Sequence, residues 1–312
     1  MSPSTPLGPG REFDVIRGLL GRWGDRARGV GDDAAILDVP PGEQLVVSTD
    51  SSIEDRHFRR AWLSPREIGY RSTAAALSDL AAMGASPLGI IVAISVPEGW
   101  RDALGDIADG IGEAASLSHA PIVGGDLSGG RELGITITVL GSAVAPLRRS
   151  GARIGDRICV TGTLGGPARA IEALSAGRVP DERSRRRFAH PEPRIREARW
   201  LASRGATAAV DISDGVAADA GHLAAASGVA IHIDLERLPC EPGIECLAAA
   251  ASGEEYELLV SLPAVAAVHD FEAMFRLPLT EIGRVIAGAE PGVTTFHRGV
   301  SVAPPRGYDH FS

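Results

Sequence analysis

Ala208-Ala209-Val210-Asp211-Ile212-Ser213-Asp214-Gly215-Val216 is the stretch on which the fold turns. Residues 208–212 are small or β-branched and predict a short buried strand. Ser213-Asp214-Gly215 supplies the turn, and the Ala-rich run behind it predicts a helix that ends before Gly228. The same sequence of events recurs elsewhere. A strand over residues 44–49 ends at Asp50; a short strand over residues 121–123 opens into Gly124-Gly125-Asp126; a strand over residues 157–161 runs into Gly162-Thr163-Leu164-Gly165-Gly166 and a helix from Pro167. Strands that pass through Asp and small residues into helices predict layered α/β architecture.

Between these points the pattern is regular. Ser64-Pro65-Arg66-Glu67 predicts a capping box with Pro at the first helical position, and the helix behind it, ending near Gly84, carries Ser78 and Asp79. Residues 88–96 predict a buried strand, residues 101–117 an amphipathic helix and residues 133–140 an alternating strand, with further strands near Ile231, Leu258 and Ile282. Residues 145–156, with one Pro, three Arg and two Gly, predict a hinge. No fixed-period repeat is present.

Composition narrows the chemistry. The chain has 312 residues, a net charge of −9 and 31 basic residues that are all arginine. With no lysine, a Walker-type phosphate loop, a protein-kinase site and Schiff-base chemistry are excluded. An acidic surface with 4% aromatics argues against nucleic acid or an anionic membrane as partner. The longest apolar run is too short to span a bilayer, and residues 1–11 lack the apolar core of a secretory signal; a cytoplasmic protein with a disordered lead over residues 1–10 is expected. Cys159, Cys240 and Cys246 are odd in number and form no C-x-x-C pair, so neither a disulfide framework nor a zinc knuckle is indicated.

The carboxylates carry the functional signal. Asp33, Asp50, Asp79, Asp126, Asp211 and Asp214 each sit beside small or flexible residues, the setting that suits hard divalent cations. Asp and Gly also make ordinary turns. Asp79 is the more telling, because it stands amid Ala74-Ala75-Ala76-Leu77 and Leu80-Ala81-Ala82, where an unpaired carboxylate is costly. The Gly162–Gly166 loop offers backbone N–H groups that can seat phosphate, and Arg149 a fork of donors for one; a plain turn and a solvated basic run are the competing readings.

The order of these motifs resembles the thiamine-monophosphate kinases. The stretches that carry the resemblance are Gly31-Asp32-Asp33-Ala34, Ser48-Thr49-Asp50, His57-Phe58, Leu77-Ser78-Asp79-Leu80-Ala81-Ala82-Met83-Gly84, Gly124-Gly125-Asp126, Arg149-Ser150-Gly151-Ala152, Val160-Thr161-Gly162-Thr163-Leu164-Gly165, Asp211-Ile212-Ser213-Asp214-Gly215, Glu254-Glu255-Tyr256-Glu257-Leu258-Leu259 and Gly307-Tyr308-Asp309-His310-Phe311. Together they run from about residue 12 to 311. The resemblance implies an α/β (α+β) protein of two domains, with the aminoimidazole ribonucleotide synthetase-like fold over residues 11–147 and 148–312, and a mixed N-terminal sheet that pairs in a homodimer. It implies transfer of the ATP γ-phosphoryl group to thiamine monophosphate, assisted by several Mg²⁺ ions and without a general base. Asp33, Ser48, Thr49, Asp50, Asp79, Asp126, Asp211 and Asp214 match the metal-binding set; Gly125, Asp126, Arg149 and Ser213 match ATP contacts; His57, Glu254 and Tyr308 match positions near the thiamine phosphate.

The chain departs from the family pattern at three places. Ser252 and Glu255 stand where Gly and Asp are usual, Asp55-Arg56 stand where a small residue precedes His57, and no aromatic counterpart for an adenine contact stands around residues 117–119. A sister synthetase with another acceptor and a multi-metal phosphatase are the alternative readings; no Cys near the N-terminus favours selenium or sulfur chemistry.

Overall fold

The computed structural model describes Leu7 and residues 9–308; the Pro- and Gly-rich lead before them and Asp309-His310-Phe311 lie outside the described residues. The chain forms two compact units, Met1–Leu80 with Ala85–Ala145, and Ala81–Gly84 with Pro146–Ser312. It is a mixed α/β protein.

The first unit holds a mixed sheet of four strands, β1 (Gln44–Ile53), β2 (Ser86–Val96), β3 (Ile122–Gly129) and β4 (Gly134–Ala143), in the order β1-β4-β2-β3. β4 pairs antiparallel with β1 and β2, while β2 and β3 are parallel. The helices are α1 (Arg11–Trp23), α2 (Pro65–Ala82) and α3 (Leu104–Leu117). α2 begins with the predicted capping box: Glu67 N–H donates to Ser64 Oγ at 3.3 Å, and Ser64 N–H donates to Glu67 Oε2 at 2.8 Å. One sheet face is mainly apolar, with Ile90, Val92, Ile94, Ile135, Ile137 and Val139 buried.

Two predicted boundaries move. β1 does not stop at Asp50 but continues to Ile53, because Ser51 and Ser52 keep their ladder partners Thr136 and Ile135 on β4. β3 does not end at Val123; it runs through Gly124-Gly125-Asp126, which pair with Ile91, Val92 and Ala93 of β2. Both Asp-bearing motifs therefore sit on strands, where neighbouring residues point to opposite faces.

The second unit holds a sheet of seven strands: β5 (Arg157–Thr161), β6 (Ala208–Asp211), β7 (Ala230–Asp234), β8 (Leu258–Leu262), β9 (Leu279–Ile286), β10 (Gly292–His297) and β11 (Val300–Val302), in the order β11-β10-β7-β9-β5-β8-β6. Its helices include α4 (Gly166–Ser175), α5 (Glu182–Ala189), α6 (Ile195–Ser203) and α7 (Val216–Ser227). The core under this sheet gathers Ile158, Val160, Val210, Ile212, Leu223, Ile231, Leu259 and Ile282. As predicted, the strand ahead of Asp211 leads through Ser213-Asp214-Gly215 into the Ala-rich helix, here β6 and α7, and Gly228 ends that helix in the left-handed conformation.

Candidate active site

In the first unit the strand pleat decides which residues meet. Ser48 and Asp50 are paired with Val139 and Ile137 on β4, both fully buried, so their side chains share the apolar face. There Ser48 Oγ donates to Asp79 Oδ2 of α2 at 2.5 Å. Ser48, Asp50 and Asp79 thus gather on one side of the sheet, and Gly125 lies in the same transverse row as Asp50, through Ile137 and Val92. Thr49 points the other way, with its hydroxyl 3.0 Å from that of Thr138. Asp126 also belongs to the opposite row, aligned through Ala93 and Thr136 with Ser51. It borders a polar cavity with Ser51, Ser95 and Thr136 and, at the sheet edge, an apolar one with Leu19, Trp23 and Val92. Asp33 lies in an exposed bend.

His57 is half-buried in the turn that leaves β1. Ile53 N–H donates to its Nδ1 at 3.1 Å, so a neutral ring carries its proton on Nε2. Asp55 in the same turn has φ +62°, a left-handed conformation that Asp tolerates better than most residues.

The second unit builds a denser cluster around residues 211–219. Asp211 ends β6 and is buried; Ser213 and Asp214 are half-buried in the turn. Asp219, on the first turn of α7, accepts N–H donors from Asp214 at 3.2 Å and Gly215 at 3.1 Å. Burial, and then the charges of Asp211 and Asp214, push the Asp219 carboxyl up to about 7. One oxygen each from Asp214 and Asp219 and one ring nitrogen of His222 lie within 4.8 Å of one another. An oxygen-rich donor set in which the charges of Asp211 and Asp214 make Asp219 costly to ionise is the electrostatic setting that a hard divalent cation relieves, so these residues fit Mg²⁺. Asp219 and His222 are missed by the sequence reading; the signal was an Asp and a His three apart on an otherwise alanine-rich helix.

The segment with Glu254 wraps the same turn. Glu254 N–H donates to Ser213 O at 2.7 Å, and Tyr308 N–H donates to Asp214 O at 3.0 Å. The approach is so close that a Cβ on Gly253 would stand 2.7 Å from Ser213 O and one on Gly307 2.6 Å from Asp214 O, which is why glycines precede both residues. Glu254 and Tyr256 have φ +62° and +53°, left-handed conformations that cost about 1–2 kcal/mol each outside glycine. Tyr256 Oη donates to Glu254 Oε2 at 3.0 Å, a role for Tyr256 that the sequence reading did not assign.

Between these two, Glu255 turns inward and is fully buried. Its Oε1 accepts from Gly165 N–H and from Ser252 Oγ, both at 2.5 Å. The N-terminus of α4, where the loop of residues 162–166 could have seated a phosphate, is therefore filled by a carboxylate of the protein itself. The two departures from the family pattern, Ser252 and Glu255, touch each other. Burial pushes Glu255 up to about 7 despite Arg187. Glu257, equally buried, is held below the usual carboxylate range because Arg194 and Arg187 both face it. Arg149 is exposed in a short 3₁₀ turn (Arg149–Gly151), its carbonyl accepting from Ser227 Oγ at 2.6 Å.

Residues 31–143 match the family described as AIR synthase related protein, N-terminal domain, and residues 153–295 its C-terminal domain. The chain is 33% identical to the thiamine-monophosphate kinase of Salmonella typhimurium over 94% of its own length and 97% of the relative's. The crystal structure of thiamine-monophosphate kinase from Stenotrophomonas maltophilia superposes with a TM-score of 0.80 at 35% identity, covering 93% of this chain and 96% of that one. The structure of AaThiL complexed with AMPPCP and TMP matches with a TM-score of 0.77 at 30% identity, over 96% and 97% of the two chains.

Proposed function

We propose, for a chain that belongs to the thiamine-monophosphate kinase family, that it phosphorylates thiamine monophosphate with ATP to give thiamine diphosphate and ADP. The observation that carries this is the near-complete match, at 30% identity, to a homologue held with AMPPCP, an ATP analogue, and TMP.

The residues are suited to that transfer. The acceptor is a phosphate oxygen that is already anionic at neutral pH, so the site needs positioning rather than a base. His57 agrees with this: its Nδ1 lone pair already accepts Ile53 N–H, and a neutral ring offers the proton on Nε2 as a donor. Ser48, Asp50 and Asp79 in the first unit and Asp211, Asp214 and Asp219 in the second are the residues we assign to Mg²⁺; Asp33, Thr49 and Asp126 join that set on motif match alone. Bound Mg²⁺ would offset the repulsion between two polyanions and orient their oxygens for in-line transfer. Gly125, Asp126, Arg149 and Ser213 are assigned to ATP. Arg149, exposed on its turn, can present a planar fork to a phosphate. Glu254 and Tyr308, hung on the Ser213-Asp214 turn, are assigned with His57 to thiamine monophosphate: a carboxylate suits the cationic thiazolium and a tyrosine face suits its ring.

A homodimer is part of the proposal. On the sheet face of Thr49 and Ser51, Leu45 and Val47 are about half exposed at 51% and 54%, an apolar surface on an edge strand that a second copy would cover. A cytoplasmic setting accords with three free cysteines. Among the described residues no helix is long and apolar enough to cross a membrane.

The test is ADP release with thiamine monophosphate, thiamine or buffer alone. Turnover with the monophosphate and none with thiamine is expected. Equal conversion of thiamine, or ADP release without an acceptor, would replace this function by an alcohol kinase or a phosphatase.

A further inference from the structure

Glu254 and Tyr256 stand on a turn that nothing local explains. Both are in left-handed conformations, neither is glycine, and both are half-buried while Glu255 and Glu257 beside them are completely buried. The restraint comes from inside the core. Arg187 of α5 ion-pairs Glu255 Oε2 at 3.2 Å and Glu257 Oε1 at 2.9 Å. The same guanidinium donates to the main-chain oxygens of Glu255 at 3.2 Å and Thr163 at 3.4 Å. Glu257 is pinned further by Arg194 at 2.6 Å and by Thr161 Oγ1 at 2.7 Å. The turn is hung from the other side as well: Glu255 and Tyr256 N–H both donate to Ile212 O, at 3.1 and 2.9 Å.

We propose that Arg187 is a positioning residue for the acceptor: by holding Glu255 and Glu257 from within, it sets the left-handed turn on which Glu254, braced by Tyr256 Oη, is presented to the thiamine end of the substrate. This rests on the assignment of Glu254 to that end. Among the described residues, the charged groups that act on Arg187 are Glu257 and Glu255, both ahead of β8, and Arg194 ahead of α6. Two carboxylates and two carbonyls are held by one planar fork. A lysine at this position presents a single ammonium and cannot span them, although it keeps the charge. Arg187→Lys therefore loosens the turn without removing the cation from beside Glu255 and Glu257. With Glu255 anchored inside, the main chain on either side of it is fixed as well, Glu254 N–H on Ser213 O and Tyr256 N–H on Ile212 O.

The experiment is steady-state kinetics of Arg187→Lys, Glu254→Ala and the double variant, with thiamine monophosphate and ATP varied separately and the melting temperature recorded for each. For Arg187→Lys we expect KM for thiamine monophosphate to rise about tenfold, with kcat and the KM for ATP within about twofold of the parent. The double variant should be no worse than Glu254→Ala, because Arg187 acts through that residue. Glu255→Gln, which keeps an acceptor for Gly165 but turns an amide against Arg187, should give the same KM signature and stands in if Arg187→Lys does not fold. Multiplying losses in the double variant, parallel rises in both KM values, or a fall in melting temperature with unchanged KM would overturn the proposal. A parent enzyme that does not turn over thiamine monophosphate would instead remove the acceptor assignment itself, and the positioning role with it.

Discussion

Replacing Arg194 by Met should destabilise the second unit strongly, and the loss should shrink on acidification. Glu257 is completely buried and receives four donors: Arg194 Nε at 2.8 Å, Arg194 Nη2 at 2.6 Å, Arg187 Nη1 at 2.9 Å and Thr161 Oγ1 at 2.7 Å. Met fills most of the vacated volume, so the cavity contribution is small. What goes is half of the donors and one of two neutralising cations. Each charge-assisted bond is worth roughly 1.5–3 kcal/mol net, and removing one partner of a buried pair costs about 3–5 kcal/mol. Arg187 and Thr161 stay in place, so about 4 kcal/mol is expected. For a unit of this size that is on the order of 8–16 °C in melting temperature.

The pH dependence separates this from a packing defect. In the parent, the folded Glu257 carboxyl lies below its unfolded value of 4.5, so its contribution is present above pH 4.5 and is lost as pH falls through the folded value. In Arg194→Met burial outweighs the single remaining cation and the carboxyl moves up. A raised group adds stability at low pH and loses it as pH rises. The gap between the two proteins should therefore be widest near pH 8 and close towards about pH 4. Urea unfolding at stepped pH measures it. A gap under about 1 kcal/mol, or one that does not change with pH, would refute the reasoning.

Asp50→Asn and Asp79→Asn should each lower kcat by roughly two orders of magnitude or more, as loss of a charge beside the metal and phosphates requires; near-normal rates in both would remove them from the site. EDTA should stop turnover and Mg²⁺ restore it, with Asp219→Asn needing more Mg²⁺ than the parent for half-maximal rate; an unchanged requirement would leave Asp219 outside the metal set. Metal-free parent protein should lose stability between about pH 5 and 8: Glu255, facing Arg187, Ser252, Gly165 and Glu257, is raised from 4.5 to about 7, so its contribution is complete below the unfolded value and lost as pH rises through the folded one. Urea unfolding in EDTA measures this, and stability rising over that range would contradict it.

Local pattern carried much of the fold into view. The capping box at Ser64 and Glu67 and the passage from β6 through Ser213-Asp214-Gly215 into α7 are set by residues within a few positions of each other, and both formed as read. The failures were questions of partners. Whether β1 ends at Asp50 depends on Thr136 and Ile135 of β4, some 85 residues away. Once the strand continues, pleating sends the side chains of Ser48 and Asp50 to one face and that of Thr49 to the other, so three adjacent side chains do not share a face. The loop of residues 162–166 looked like a phosphate seat because nothing nearby in sequence revealed that Glu255 would occupy it. α1, α5 and α6 escaped for a different reason. α5 has four Arg among eight residues, and only Ser184, Phe188 and Ala189 mark its buried side.

The arginines lead back to the chemistry. A chain whose 31 basic residues are all Arg has no ammonium to place against phosphate, and part of its guanidinium is committed inside the protein. Arg187 and Arg194 are largely buried and neutralise Glu255 and Glu257, and so hold Glu254 and Tyr256 rather than meet a ligand. Arg149 on its exposed turn is a different case, with the main-chain carbonyl fixed by Ser227 and the side chain at the surface. On the assignment proposed above, cations held by carboxylates would supply much of the charge compensation for two polyanionic substrates. That is the reading under which Asp219, raised to about 7 by burial and by Asp211 and Asp214, is an asset: a group costly to ionise without a metal gains most when one arrives. The same logic explains the spare role of His57. Where the attacking oxygen is already an anion, no side chain has to take a proton, and under the assignment proposed above His57, whose Nδ1 accepts Ile53 N–H, would serve only to orient the acceptor.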